Sequence, residues 1–156
     1  MKKKIEQENY LISKSTEVLQ PVFHMYYSTV VWEGDTIIYV KAPCYKILDD
    51  SCLPRGASYD GRRTAVIRKI GTKIKVPILV CRQEEIYAIP TMSPKNYNCI
   101  WIFYHHVDDI AIDKNRPGKC IVIFKSGNQL PLDVSYYVMS KQLGRTARCI
   151  TVFSSM

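Results

Sequence analysis

The stretch Ser28–Lys41, STVVWEGDTIIYVK, contains the pattern that decides the fold. Two runs of β-branched and aromatic residues flank Glu33-Gly34-Asp35, and such runs around a glycine are typical of two antiparallel strands joined by a tight turn. We therefore predict a β-hairpin here.

Most of the remaining sequence also indicates strands. Apolar runs punctuated by turn residues occur in EEIYAIPTM (84–92), NCIWIFYHHV (98–107), KCIVIFKSG (119–127) and NQLPLDVS (128–135), with KSGNQ (125–129) as a tight turn. CYKILDD (44–50) is interpreted as a short strand, and TAVIRKIGTKIKVPILVC (64–81) as a second hairpin turning near Gly71-Thr72. Pro77, Pro90 and Pro131 predict edges or strand ends. The expected fold class is mainly β, an antiparallel sheet or open barrel of hairpins.

The C-terminal segment has a different period. After Ser135, a predicted N-cap, YYVMSKQLGRTARCITVF (136–153) carries apolar residues at helical spacing, at Tyr136, Met139, Leu143, Ala147 and Ile150. We predict an amphipathic helix. Its cations Lys141, Arg145 and Arg148 follow one another at +4 and +3, which stacks three positive charges on one face.

The net charge of +8 is concentrated. Residues 55–82 carry eight Lys and Arg against one acid, and residues 141–156 carry three against none, whereas the rest of the chain is close to neutral. A clustered basic segment is the pattern expected of a polyanion-binding protein. Two alternatives stay open at this point, a solvated face and a surface for an acidic protein partner.

Length and hydropathy favour one globular domain over residues 1–156, with a flexible basic N-terminus over residues 1–9. The longest apolar runs, Cys99–Tyr104 and Cys120–Phe124, are too short to span a membrane. The basic start is followed by no apolar stretch and therefore predicts no secretory signal. We expect a cytoplasmic protein, and its six dispersed cysteines fit a reducing compartment.

Catalytic and cofactor signals are sparse. The sequence contains neither a phosphate-binding glycine loop nor a zinc finger, and no cofactor is predicted. Cys99, His105, His106 and Cys120 form one grouping worth weighing as a zinc site, although paired ligand spacing is missing. A Cys-dependent enzyme at Cys52 or Cys99 is a further alternative. The prediction is a non-enzymatic binding protein.

The glycine-flanked arginines indicate how a nucleic acid would be bound. With no helix-turn-helix pair in the predicted elements, arginines on loops and hairpin tips suit the minor groove or the phosphate backbone. Arg62-Arg63 and Arg68-Lys69 are the candidates for insertion. RNA is the competing ligand, but the aromatic strand patterns of RNA-recognition domains are missing.

Three segments together resemble the ComK family of bacterial competence transcription factors. They are SCLPRGASYDGRRTA (51–65), IYAIPTMSPKNYNCIWIFYHHV (86–107) and IVIFKSGNQLPLDVSYYVMSKQLGRTA (121–147), within a likeness that runs from about Thr16 to Ala147. Their most specific elements are SC-x₃-G-x-S-Y-x-GR at Ser51–Arg62, IPTMS followed by C-x-WI, and the final RTA. Pro54-Arg55 and Gly144 depart from the family pattern.

The resemblance implies a sequence-specific DNA-binding activator that recognises paired A·T-rich boxes in double-stranded promoter DNA. It also implies approach through the minor groove, dimers that assemble to tetramers, and activation of DNA-uptake genes and of its own gene. Nucleoid association, contact with RNA polymerase and turnover through a proteolytic adaptor belong to the same expectation, although the sequence ends nine residues after Ala147, where longer members continue. The predicted DNA-binding residues are Arg55, Arg62, Arg63, Arg68, Lys69, Lys73, Lys75, Lys141, Arg145 and Arg148.

Overall fold

The computed structural model describes residues 2–155, which form ten strands and three α-helices. The strands are β1 (Lys3–Gln7), β2 (Val18–Pro21), β3 (Thr29–Glu33), β4 (Thr36–Val40), β5 (Ile78–Cys81), β6 (Ile86–Pro90), β7 (Trp101–Phe103), β8 (Val107–Ile112), β9 (Cys120–Phe124) and β10 (Gln129–Leu132). The helices are α1 (Cys44–Cys52), α2 (Tyr59–Ile70) and α3 (Tyr136–Ser154), and short 3₁₀ turns lie at Leu53–Arg55 and Tyr104–His106.

A seven-stranded sheet in the order β1-β4-β3-β2-β7-β6-β5 forms the centre of the fold. All its neighbouring pairs are antiparallel except β1 and β4, which run parallel. The predicted hairpin is confirmed as β3–β4, with Val31 opposite Ile38 and Gly34 in the left-handed region at φ 59°. Glycine adopts that φ without the steric cost that a side chain would add.

A second sheet of three antiparallel strands has the order β10-β9-β8. The turn predicted in KSGNQ joins β9 to β10, with Gly127 at φ 93°. The proline predictions are confirmed, because Pro77 precedes β5, Pro90 ends β6 and Pro131 lies on an edge strand. The fold class is therefore the predicted one, a mainly antiparallel β protein with a C-terminal helix.

The large sheet is covered on both faces, as its nearly continuous apolar strands require. Ile47 and Leu48 of α1 join Val31, Val80 and Trp101 in one buried cluster. On the opposite face, residues of the small sheet and Met139 of α3 pack on Ile89 and Ile102. Strand alternation explains the division, since Val80 and its neighbour Leu79 enter different clusters.

Residues 44–50, predicted as a short strand, belong to α1 instead. Its buried residues are Ile47, Leu48, Ser51 and Cys52, which is the i, i+1, i+4, i+5 spacing of one helix face. The short apolar run in CYKILDD was compatible with a strand by residue type alone. The helical spacing becomes visible only when the window is extended to Cys52.

The second predicted hairpin, over residues 64–81, is also wrong. Residues up to Ile70 belong to α2, residues 71–77 form a loop, and only Ile78–Cys81 is a strand. The helix has ordinary boundary signals: the N–H of Gly61 donates to Ser58 Oγ at 3.0 Å, and Gly71 ends it at φ 77°. These caps outweigh the β propensity of Thr64, Val66 and Ile67. Consequently Arg62, Arg63 and Arg68 lie on a helix and not on hairpin tips.

The N-terminus differs from the prediction as well. Lys3–Gln7, placed in a flexible segment over residues 1–9, forms β1 and pairs with β4, with Lys3 opposite Thr36 and Gln7 opposite Val40. Only Ile5 of this strand packs on the core, so its sequence carried little hydrophobic signal. Met1 lies outside the described residues.

The C-terminal helix is confirmed, and the N–H of Val138 donates to Ser135 Oγ at 3.1 Å. Its buried stripe is rotated from the predicted one. It consists of Met139, Gln142, Thr146, Cys149 and Phe153, whereas Tyr136 is exposed. The buried glutamine and threonine explain the difference, because an apolar-residue pattern does not count them. No helix described in residues 2–155 has the length and apolarity needed to span a bilayer.

Candidate nucleic-acid interface

Four cations from three parts of the chain line one groove of about 530 Å³. They are Arg63 on α2, Lys73 and Lys75 in the loop 71–77, and Lys95 in the loop after β6. We call this surface the basic groove. Its remaining lining comprises one acid, Asp60, and uncharged residues, namely Tyr45, Tyr59, Ile74, Val76, Ser93 and Pro94.

The charge of the basic groove is not neutralised internally. Among the ion pairs within residues 2–155, none includes Arg63, Lys73, Lys75 or Lys95. Arg116 shows the contrast, because it pairs with Asp113 at 2.9 Å and Asp133 at 2.8 Å. The hydrogen bond from Arg116 lowers the pKa of Asp113, the effect expected of a neutralised pair. Unpaired cations in a concave surface raise the local concentration of anions.

A buried glutamine holds the loop that carries Lys73 and Lys75. Gln142 of α3 is 1% exposed, and its Nε2 donates to the carbonyl of Lys75 at 3.0 Å and to that of Pro90 at 2.8 Å. Lys75 itself has φ 50°, in the left-handed region that a non-glycine residue rarely occupies. Such strain persists only where surrounding contacts fix the backbone, and the Gln142 hydrogen bond is one of them.

Arg145 connects the two basic surfaces that the sequence predicted separately. Its Nη1 donates to the carbonyl of Ile74 at 3.4 Å and also to Gln142 Oε1. The side chain therefore supports the loop of the basic groove. Lys141 and Arg148 are exposed on the same helix, with Lys141 Nζ 4.9 Å from the ring centroid of Tyr137.

Arg55 and Arg62 use their guanidinium groups inside the protein. Arg55 donates to the carbonyls of Ser51 and Ile12, each at 3.1 Å, and Arg62 Nη2 donates to the carbonyl of Arg55 at 2.9 Å. Both side chains are half-buried, and Arg62 Nε is buried without a hydrogen-bond partner in the described structure. These contacts join the end of α1 to α2.

Arg68 and Lys69 are exposed in the last turn of α2. Cations at this end are stabilised by the helix dipole, which gives them a structural reason independent of any ligand. The structure therefore brings Arg63, Lys73, Lys75 and Arg145 together. It leaves Arg68, Lys69, Lys141 and Arg148 on flanking helix surfaces.

Two residues important to this surface were missed by the sequence analysis. Lys95 is a single cation in a loop rich in Ser, Pro and Asn, so a count of clustered charge does not detect it. Gln142 is a polar residue on a helix, and its burial depends on the position of the loop 71–77. The Ser-Pro-Lys-Asn turn signal at 93–96 predicts a loop but not the surface that it joins.

The geometry of residues 2–155 does not support the zinc site or the Cys-dependent enzyme considered from the sequence. Cys99 and Cys120 belong to different buried clusters, and residues 2–155 contain no cluster of three or more potential metal ligands. Burial raises the pKa of the Cys52 thiol to about 11 and also raises that of Cys99, which makes both poor nucleophiles at neutral pH.

The two adjacent histidines were expected at a strand end but lie in the 3₁₀ turn Tyr104–His106. His105 Nε2 is 3.8 Å from Glu85 Oε2, and His106 contacts the carbonyl of Lys14. Each ring therefore has its own separate partner.

The fold and the groove define a class of protein: a two-sheet β protein with a surface where a helix and two loops present cations unpaired with carboxylates. A model of the ComK protein family matches residues 7–156. The chain belongs to the ComK family.

One curated relative is the competence transcription factor of Bacillus subtilis (strain 168), which is 31% identical over 121 residues. The match covers 78% of this chain and 62% of the relative, so the chain spans less than two thirds of that protein's length. No solved structure matches the chain.

Proposed function

We propose that this protein is a sequence-specific DNA-binding transcriptional activator of genetic competence genes. It binds A·T-rich boxes in promoters through the minor groove and activates its own gene. The observation that carries the proposal is the basic groove, whose four cations lack carboxylate partners in the described structure. Membership of the ComK family and the name of the Bacillus subtilis relative support the assignment to competence.

The basic residues divide by role in this proposal. Arg63 enters the groove of the duplex, whereas Lys73, Lys75 and Lys95 hold phosphates, since base-edge contacts specify and phosphate contacts position. Arg68, Lys69, Lys141 and Arg148 extend the phosphate contacts along α2 and α3. Arg145 positions the loop 71–77, and Arg55 and Arg62 support α2 from behind.

The same proposal includes the setting in which the protein acts. It works in the cytoplasm on the nucleoid as a homodimer or tetramer, because a chain that reads a short site gains affinity by binding paired boxes together. RNA polymerase and a proteolytic adaptor are further proposed partners. No cofactor takes part.

Fluorescence anisotropy tests the proposal on three duplexes, one with two A·T boxes, one scrambled and one G·C-rich, each at several salt concentrations. We expect a preference of about 10³ or more for the boxed duplex. Lys73→Ala should weaken binding to all three alike and reduce the salt slope by about one, whereas Lys114→Ala, an exposed lysine in the β8–β9 turn, should change neither. Equal affinities for all three duplexes would contradict the proposal and direct the search to an acidic protein partner.

Base substitution tests which groove is read. An inosine–cytosine pair presents the minor-groove edge of A·T and the major-groove edge of G·C, so replacing the box A·T pairs by I·C separates the two. We expect the I·C duplex to keep the affinity of the A·T duplex. Because α2 has one exposed face, major-groove reading is the physical competitor, and an I·C duplex that binds as weakly as G·C would establish it.

A further inference from the structure

The loop between β2 and β3 exposes large apolar side chains. Phe23 is 84% exposed, Met25 86% and Tyr26 65%, and Tyr97 from the loop before β7 is 55% exposed next to Phe23. We call these four residues the aromatic tip. Single exposed apolar residues are ordinary, but a group of them is typical of a binding surface.

Contacts within the tip fix its shape. The rings of Phe23 and Tyr97 have centroids 4.6 Å apart, and Tyr97 Oη donates to the carbonyl of Val22 at 3.2 Å. The loop closes with a hydrogen bond from the N–H of Val22 to the carbonyl of Ser28 at 3.0 Å. The aromatic tip is therefore held in place although it packs on no core.

The aromatic tip is continuous with the basic groove. Tyr97 lines an apolar cavity of about 180 Å³, and Tyr45, Tyr59 and Pro94 line both that cavity and the basic groove. Lys95, a groove residue, is two positions from Tyr97 in the same loop. One surface thus carries apolar rings at one end and unpaired cations at the other.

The charges decide between two occupants of this surface. A second copy of the chain would bring its own basic groove toward the first, and the repulsion between cations opposes that contact. A duplex offers the opposite combination, because phosphates lie next to stacked apolar bases. The loop 22–28 carries no acid that would repel the phosphates.

We propose that Phe23 and Met25 insert between base pairs of the bound duplex, next to the phosphates held by the basic groove. This inference rests on the proposed function. Apolar wedges from proteins unstack base steps in this way and kink the duplex. Pyrimidine–purine steps such as TA are the most easily unstacked, and they are the expected insertion points. The aromatic tip then contributes to the choice of sequence without reading a base edge.

The experiment maps the boxed duplex with permanganate, which oxidises the 5,6 double bond of unstacked thymines and leaves the minor-groove edge of the duplex unmodified before the reaction. We compare the wild type with the double variant Phe23→Ser, Met25→Ser, and Ile112→Ser serves as control because Ile112 is 66% exposed on β8 of the small sheet. Thermal unfolding checks that each variant is folded, and sedimentation gives its oligomeric state.

We expect the wild type and Ile112→Ser to raise the permanganate reactivity of thymine at one step, and the double variant to lose that rise. The affinity of the double variant for the boxed duplex should fall by about 10-fold to 100-fold, which corresponds to the loss of one base–aromatic contact. The dependence of its affinity on salt should stay the same, because no cation is removed. A double variant that keeps the raised permanganate reactivity overturns the insertion and leaves the proposed function intact. A double variant that only loses self-association overturns it too and assigns the tip to a second copy. Failure of the wild type to prefer the boxed duplex sinks the proposed function itself.

Discussion

The basic groove and the aromatic tip share a surface but are held in different ways. The loop of the groove is fixed from behind by Gln142, a buried side chain that donates to two carbonyls. The tip is fixed at the surface by one ring contact and the hydrogen bond of Tyr97. Lysines are flexible, so a cation-lined surface needs a fixed backbone, whereas an aromatic ring carries its own rigidity.

This difference predicts how each region responds to mutation. Substitutions of the buried residues that support the loop 71–77 should lower both the free energy of unfolding and the affinity for DNA. Changes at the aromatic tip should alter binding with little effect on the free energy of unfolding, because the tip is exposed. The following substitutions test the contrast.

Gln142→Leu should have the largest effect. It leaves the carbonyls of Lys75 and Pro90 without their donor and removes the acceptor of Arg145, and each unsatisfied buried group costs about 1–3 kcal/mol. Urea unfolding should show a loss of about 2–4 kcal/mol, with weaker DNA binding at temperatures where the variant is still folded. Gln129→Leu, at an exposed position of β10, is the control. Unchanged stability in Gln142→Leu would mean that the loop is fixed by other contacts.

Arg62→Ala and Arg63→Ala form a matched pair on adjacent helix positions. Arg62→Ala should lower the free energy of unfolding by about 1–2 kcal/mol, because it removes the hydrogen bond to the carbonyl of Arg55 and the packing of a half-buried side chain. Arg63→Ala loses an exposed hydrogen bond of 3.4 Å from Nη2 to the carbonyl of Lys73, so it should unfold nearly like the wild type. It should lose more affinity for the A·T boxes than for random DNA. Stability and affinity are read from urea unfolding and anisotropy. The reverse assignment would place Arg62 at the duplex.

Gly144→Ala should stabilise the helix that carries Gln142. Gly144 lies in α3, and a Cβ added there has open space with no atom within 4 Å. Alanine has a higher helix propensity, by about 1 kcal/mol, so the melting temperature should rise. Calorimetry measures the gain, and a lower melting temperature would show that this position needs a glycine for a reason outside the helix.

Tyr97→Phe should have the smallest effect on stability, about 0.5 kcal/mol, because the hydrogen bond it removes is exposed. The ring contact with Phe23 stays. Thermal unfolding should therefore be nearly unchanged while the permanganate reactivity of the boxed duplex decreases. A large loss of stability would show that the tip is part of the folding core and not a separate surface element.

The sequence predicted the elements whose apolar residues face a core on a regular period. The β3–β4 hairpin and the β9–β10 turn are examples, and α3 was found through its cap at Ser135. It failed at β1 and α2, where burial is sparse. In α2 only Tyr59 and Val66 are buried. The caps Ser58 and Gly71 therefore indicate this helix better than the pattern of apolar residues does.

The candidate site was predictable only in part for a related reason. Arg63, Lys73 and Lys75 lie within thirteen residues of sequence, and a count of local charge finds them. Lys95 and Gln142 reach the same place from distant segments through the packing of α3 and the loop after β6. Contacts of this kind depend on tertiary structure and leave no periodic trace in one sequence.

The outer strands of both sheets have a consequence for assembly. β1 presents charged side chains along one border of the large sheet, and α2 packs against β5 at the other. In the small sheet, Pro131 removes a ladder donor from β10, and β8 has a register irregularity between Val107 and Asp109. These are the devices by which proteins prevent edge-to-edge strand pairing and aggregation. Interior strands such as β7 are already paired on both sides, so these edges favour association of copies through side-chain surfaces over a continuous intermolecular sheet.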